Sequence, residues 1–153
     1  MSSYVCRFLT SSPDRTRQLG RIMASRLNPN DVLALYGDLA GGKTTFAAGM
    51  TDFFHSEQPA TSPTFTLINE YSGDLDIFHL DCYRLKHPDE IVLMGFEDYL
   101  TRGGIVLIEW PDKIEPHLPH ALIRIDFNYV DDHTRDIKIT SPRHLELPHD
   151  IGN

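Results

Sequence analysis

The stretch Gly37-Asp38-Leu39-Ala40-Gly41-Gly42-Lys43-Thr44 fits the pattern G-x-x-x-x-G-K-[ST] and constrains the chain more than any other segment. Before it, Val32 to Tyr36 is a short apolar run that reads as a strand. After it, Thr44 to Phe54 reads as a helix in which Phe46, Met50, Phe53 and Phe54 can share a face. A glycine-rich turn between a strand and a helix has a specific use. Its backbone N–H groups can converge on a phosphate, and the helix start adds the positive end of its dipole. Lys43 would neutralise β- and γ-phosphate oxygens, and the Thr44 hydroxyl would ligate Mg2+. With Thr45 following, residues 37–45 form the candidate ATP-binding loop.

The remaining segments predict an α/β chain. Ser12-Pro13-Asp14 looks like a helix start, Leu19, Ile22, Met23 and Leu27 follow at helical spacing, and Asn28-Pro29-Asn30 looks like the stop, so a helix is expected near 13–27. Phe65 to Tyr71 and Ile77 to Tyr83 are β-prone and separated by the turn residues Ser72-Gly73-Asp74, which allows a hairpin. A short helix after Pro88 carries Ile91, Val92 and Met94 up to Gly95, and a second covers 96–101. Ile105 to Ile108 is continuously apolar, the mark of a strand covered on both faces in mid-sheet. Residues 122–127 and 136–139 alternate with period two across Asp131-Asp132-His133, which predicts antiparallel strands with one solvated face. The expected fold is the three-layer P-loop NTPase type: a central mixed sheet flanked by helices, with a C-terminal antiparallel hairpin. One domain spans 1–153, and 141–153, poor in apolar residues, is expected to be a loose tail.

Composition narrows the function classes. Twenty-two Asp and Glu against 14 Lys and Arg give a net charge of −8, which repels a phosphate backbone, so unaided capture of nucleic acid is not expected. No apolar run approaches the roughly 20 residues that span a bilayer, and Met1 to Thr10 lack the pattern of a secretory signal. A cytoplasmic protein with no membrane contact is the expectation. Cys6 and Cys82 stand far apart in no metal-like spacing, which reads as two buried or half-buried thiols. The eight histidines show no ligand spacing; His79 is expected to pack near Asp81 and the others to lie on the surface.

A phosphate loop also needs an acidic residue on a neighbouring strand to hold the Mg2+ shell or polarise water. Glu109, directly after Ile105 to Ile108, is the best candidate; Asp81, ending another β-prone segment, is a second, or else a solvated carboxylate. Thr64, after Ser62-Pro63, could sense a γ-phosphate through its hydroxyl, or could be a turn residue.

Taken together, GDLAGGKTTF at 37–46, SPTFTLINEY at 62–71, HLDCYRL at 79–85, GFEDYL at 95–100 and LIEWPDKIEPHLP at 107–119 resemble the TsaE (YjeE) family. The resemblance runs in order over roughly residues 10–140. It implies an ATPase of bacterial tRNA threonylcarbamoyladenosine formation that works with the proteins TsaD and TsaB and meets tRNA only through that complex. By position, it assigns phosphates to the loop with Lys43, Mg2+ to Thr44 and Glu109, and a functional role to Asp81. It also implies a switch-like segment at Ser62 to Thr66 and nucleotide contact by Arg135. Two positions depart from the family pattern. GDLGAGKT is usual where Ala40 and Gly41 stand exchanged here, and Cys82 replaces a usual leucine.

Rival classes fare less well. A small-molecule or nucleotide kinase shares the loop but generally needs a lid with clustered arginines, and no segment here concentrates them. A regulatory GTPase needs an N-K-x-D base reader, which is absent, and the one D-x-x-G match lies inside the phosphate loop. A non-catalytic interaction protein would require that Ala40 abolish nucleotide binding. If position 40 needs a positive φ, alanine there costs about 1 kcal/mol. The double substitution Ala40→Gly with Gly41→Ala is then expected to tighten ATP binding several-fold in a calorimetric titration; equal or weaker binding would mean that position 40 adopts an ordinary backbone conformation.

Overall fold

Ile105–Glu109, five consecutive buried residues, is the strand against which the centre of the sheet is laid. A computed structural model describes residues 3–37, 42–60 and 67–151. The expectations placed on Asp38, Leu39, Ala40, Gly41, Thr64 and the rest of Ser62 to Thr66 lie outside these. In chain order the elements are β1 (Tyr4–Thr10), α1 (Pro13–Ala24), β2 (Val32–Gly37), α2 (Lys43–Phe53), β3 (Ile68–Tyr71), β4 (Ile77–Asp81), α3 (Glu90–Leu93), α4 (Phe96–Tyr99), β5 (Ile105–Glu109), a 3-10 segment (Pro111–His117), β6 (Ile123–Tyr129) and β7 (Arg135–Ser141).

The strands form one seven-stranded sheet in the order β1-β7-β6-β2-β5-β4-β3. Its central four, β6, β2, β5 and β4, are parallel, while β3 on one side and β7 and β1 on the other run antiparallel to their neighbours. The mixed sheet and the C-terminal hairpin are therefore as expected, and β5 lies in mid-sheet. On one face Leu33, Leu35, Ile105, Leu107, Ile123 and Ile125 pack with α1 and α2; on the other Val32, Phe78, Leu80, Val106 and Ile108 pack with Ile91, Phe96 and Ile114. Side-chain alternation along each strand divides these residues between the two layers.

Helix α1 starts as its sequence demands. Ser12, in extended conformation, accepts a hydrogen bond from the Arg15 N–H, with Pro13 in the first turn. It ends at Ala24, short of the expected 27, because Arg26 and Leu27 donate to Met23 and Ala24 in tighter turns. Phe53 of α2 also departs from expectation: it is 41% exposed, whereas Phe46, Met50 and Phe54 are buried. Helical spacing places 46, 50 and 54 on one face and leaves 53 at its border.

Helices α1 and α2 meet backbone to backbone. A Cβ at Gly20 would lie 2.1 Å from the Phe46 carbonyl oxygen, and one at Gly49 would lie 1.9 Å from that of Arg17. Beside this contact Arg17 makes a two-pronged ion pair with Asp52 at 2.6 and 2.8 Å, and Arg21 joins at 3.1 Å. The Arg17 hydrogen bonds hold the Asp52 carboxyl below its usual range.

Two further segments differ from the sequence reading. Strand β1 was not foreseen, because the outward-facing Val5 and Leu9 are themselves apolar and mask the alternation whose inward members include Phe8 and Thr10. The expected loose tail is instead packed through residue 151. Leu145, Leu147 and Ile151 are buried in the α1-side core, Arg143 pairs with Asp31 at 2.7 and 2.9 Å, and the Leu147 N–H donates to the Tyr4 hydroxyl. These three apolar side chains join the same buried cluster as Phe8 of β1 and Leu19 and Met23 of α1.

The helix contact yields a contrast in stability. Gly49→Ala forces a methyl into a backbone carbonyl and is expected to cost about 2–4 kcal/mol. Gly103→Ala meets nothing within 4 Å at its φ of +86° and should cost only the left-handed strain, about 1 kcal/mol. Urea unfolding of both variants checks this, and the reverse order would refute the close-contact account.

Candidate functional site

The parallel strands β2, β5 and β4 all end on the same edge of the sheet, and the chain continues from β5 and β4 on one side of β2 to β6 on the other. Ligands of open α/β sheets bind at such a reversal, outside the carboxyl ends of the strands. Gly37 closes β2 with φ +134°, and a Cβ there would lie 2.4 Å from the Phe127 carbonyl oxygen, so only glycine leaves the strand along this path. Gly42, at φ +94°, opens α2.

Among the described residues no side chain caps the start of α2, and its first turn holds no acidic residue. Its first amides precede any intrahelical acceptor, and the helix dipole leaves a partial positive charge there. Lys43 is buried at 3% exposure. Its Nζ donates to the Gly37 carbonyl at 2.8 Å and so ties the two ends of the loop together. The same nitrogen lies 4.0 Å from Glu109 Oε1 and 4.7 Å from the centre of the Trp110 ring. Thr44 is exposed and Thr45 half-buried.

Glu109, 5% exposed, points to the α2 side of the sheet, the side of Ile105 and Leu107. Asp81 stands opposite it in register at the end of β4 and accepts a hydrogen bond from the Tyr83 N–H at 3.0 Å. Two carboxylates and a buried ammonium thus gather at one edge. Arg135 opens β7 and reaches the same end: with Ser12, Thr16, Gly42, Thr45 and His133 it lines a narrow cleft of about 40 Å3. Its guanidinium donates to the Asp131 and Thr134 carbonyls and stacks on Tyr129.

Three features escaped the sequence reading. His79 is fully buried, and its Nε2 lies 2.7 Å from Glu109 Oε2, so its close partner is Glu109 rather than Asp81. Tyr71, also buried, meets the other ring nitrogen at 3.3 Å. Trp110 has φ +56° and ψ +50°, a left-handed conformation for a large residue placed directly before Pro111. That bend lays the indole against Lys43 and Tyr83 and forms one wall of a cleft of about 250 Å3 with Tyr36, Gly37 and Asp112. The only local signal was the Trp-Pro step itself, which bars the right-handed helical region to Trp110. Burial pushes the Cys82 thiol up to about 12, which disfavours its thiolate.

This arrangement suits an anion with a small, hard cation. The helix start and Lys43 would face the anion, while the Thr44 hydroxyl and the carboxylates of Glu109 and Asp81 are oxygen donors of the kind Mg2+ accepts, one or two at a time beside phosphates and water. No helix among the described residues is long and apolar enough to cross a membrane.

Residues 10–137 match the family model of the threonylcarbamoyl adenosine biosynthesis protein TsaE. The chain is 36% identical to the tRNA threonylcarbamoyladenosine biosynthesis protein TsaE of Bacillus subtilis, over 88% of this chain and 85% of that protein. It is 39% identical to the Rickettsia conorii protein of the same name, over 82% and 72% of the two chains, and 41% identical to that of Haemophilus influenzae, over 72% and 70%. The crystal structure of YdiB from Bacillus subtilis superposes with a TM-score of 0.76 at 32% identity, covering 92% of this chain and 88% of that one. With strand order, loop pattern and family model in agreement, this chain belongs to the TsaE family of tRNA threonylcarbamoyladenosine biosynthesis and carries its P-loop NTPase fold.

Proposed function

We propose that this chain is a Mg2+-dependent ATPase whose turnover supports threonylcarbamoyl transfer to tRNA by TsaD and TsaB. The observation that carries this reading is the buried Lys43, held between the Gly37 carbonyl and Glu109 at the start of α2. A polyphosphate bound at the start of α2 would bring further negative charge to this buried ammonium and strengthen its charge-assisted hydrogen bonding. Bound Mg-ATP supplies the transferable phosphoryl group and the metal that neutralises its oxygens.

The chain's own groups then have distinct tasks. The first amides of α2 and Lys43 bind the phosphates, together with Asp38, Leu39, Ala40 and Gly41 of the loop. The Thr44 hydroxyl holds the metal. Glu109 and Asp81, paired across β5 and β4, orient the metal shell and a water. Trp110 shields Lys43 from solvent. Thr45 and Arg135, flanking Gly42, contact the nucleotide, and Thr64 senses its terminal phosphate. With a net charge of −8 the chain leaves RNA binding to its partners, and it works in the cytoplasm.

Two variants separate binding from turnover. Lys43→Ala removes a charge-assisted contact and should weaken ATP binding at least about tenfold. Glu109→Gln keeps the shape of the side chain but loses its charge. It should bind ATP within a few-fold of wild type while hydrolysis falls at least about tenfold. Titration calorimetry and phosphate release measure the two, with Trp110 emission as an independent report of binding. Unchanged affinity in Lys43→Ala would refute the phosphate role.

Partner dependence has its own test. Alone the chain should hydrolyse ATP slowly; with TsaD, TsaB, threonylcarbamoyl-adenylate and tRNA, both its ATPase rate and multi-turnover tRNA modification should rise. No change in either on mixing would overturn the partner role and return the small-molecule kinase to consideration.

A further inference from the structure

Behind Glu109 lies a run of buried polar groups to which the ATPase reading gives no task. His79 is fully buried and Tyr71 is 2% exposed, both on the α2 side of the sheet. In strand register His79 stands opposite Leu107, so it reaches Glu109 diagonally across the parallel β4–β5 pair, while Asp81 takes the position directly opposite. His79 Nε2 meets Glu109 Oε2 at 2.7 Å, and Nδ1 meets the Tyr71 hydroxyl at 3.3 Å. The Asn69 amide donates to that same hydroxyl oxygen at 3.4 Å.

The direction of these bonds follows from the groups themselves. A carboxylate can only accept, so the hydrogen resides on His79 Nε2. In the neutral ring with that tautomer Nδ1 is an acceptor, to which the Tyr71 O–H can donate while receiving the Asn69 N–H. Donation therefore runs one way, from β3 through β4 to β5, and ends on one oxygen of Glu109. The other oxygen, Oε1, is left on the side of Lys43, 4.0 Å away.

We propose that His79, held in place by Tyr71, is a positioning residue for Glu109: it fixes Oε2 so that Oε1 faces Lys43 and the start of α2. This rests on the ATPase reading above, in which Glu109 serves hydrolysis. A core histidine kept for packing alone would need neither a 2.7 Å bond to a carboxylate at the strand ends nor a second bond fixing its ring. A carboxylate free to rotate would present its reactive oxygen only part of the time, and partners that orient such groups typically matter 10–100-fold.

The test uses the full chain with ATP and Mg2+. His79→Leu should keep ATP affinity within about threefold while its turnover rate falls about 10–100-fold. His79→Gln, which retains an N–H donor of similar reach, should recover most of that rate, and Tyr71→Phe should lose less than His79→Leu. In a Glu109→Gln background His79→Leu should add no further loss, because it acts through a carboxylate already gone. A readout without nucleotide accompanies these: in long-range 1H–15N spectra His79 should be the Nε2–H tautomer, with a downfield, exchange-protected proton that loses both properties in Glu109→Ala. Melting curves confirm that each variant is folded; should His79→Leu not fold, His79→Gln, Tyr71→Phe and the spectra decide. An Nδ1–H tautomer, wild-type turnover in a folded His79→Leu, or an equal further loss in the Glu109→Gln background would overturn the inference while leaving the ATPase reading intact. Failure of the unsubstituted chain to bind or hydrolyse ATP would instead defeat that reading, and the positioning role with it.

Discussion

Helix α2 can occupy its place only because two backbones touch where neither carries a side chain. Gly20 and Gly49 bring α1 and α2 so close that a single methyl on either would overlap a carbonyl oxygen. The contact fixes the axis of α2 over β2, and hence the position of Gly42 and Lys43 relative to the strand ends. Arg17, Arg21 and Asp52 seal the exposed side of the same contact. A side chain at either position would push α2 away from α1, and Gly42 and Lys43 would move with it.

The polar groups gathered there are poor investments for stability alone. Burying an ammonium and a carboxylate costs desolvation that their attraction often fails to return, and a well-packed apolar pair commonly does as well. Trp110 adds a left-handed backbone to the same few residues. Strain and buried charge concentrated at the ends of parallel strands mark a place shaped by chemistry rather than by folding. The rest of the sheet is conventional by contrast: β5 is buried on both faces, and the two flanking cores are almost wholly apolar.

Much of this was legible in the sequence wherever a residue's type determines its local conformation or its neighbours. The G-x-x-x-x-G-K-[ST] run placed a strand, a turn and a helix in order, and the uninterrupted Ile105 to Ile108 announced a central strand ending in Glu109. The alternation after Leu122 gave the last hairpin. What stayed hidden depends on pairing at long range. Strand β1 has apolar residues on both faces and is defined by its partner β7. Leu145, Leu147 and Ile151 have no period of their own and find their places only on a surface already built. The bond from His79 to Glu109 joins two strands whose adjacency no local pattern records. Asp81 and Glu109 were both foreseen as strand-end carboxylates; that they face each other in register was not.

The sheet order also dictates when the molecule can come into being. Strand β2, which leads into the phosphate loop, pairs with β5 and β6, and β1 pairs residue for residue with β7, from Tyr4 with Ser141 to Thr10 with Arg135. None of these partners exists while the first half of the chain is being made. At about 5–20 residues per second, β1 waits on the order of ten seconds for its neighbour, with Phe8 uncovered. Contacts so distant along the chain slow folding, so the nucleotide loop is assembled among the last events of synthesis, and the emerging N-terminal half is the interval in which this protein is most exposed to aggregation.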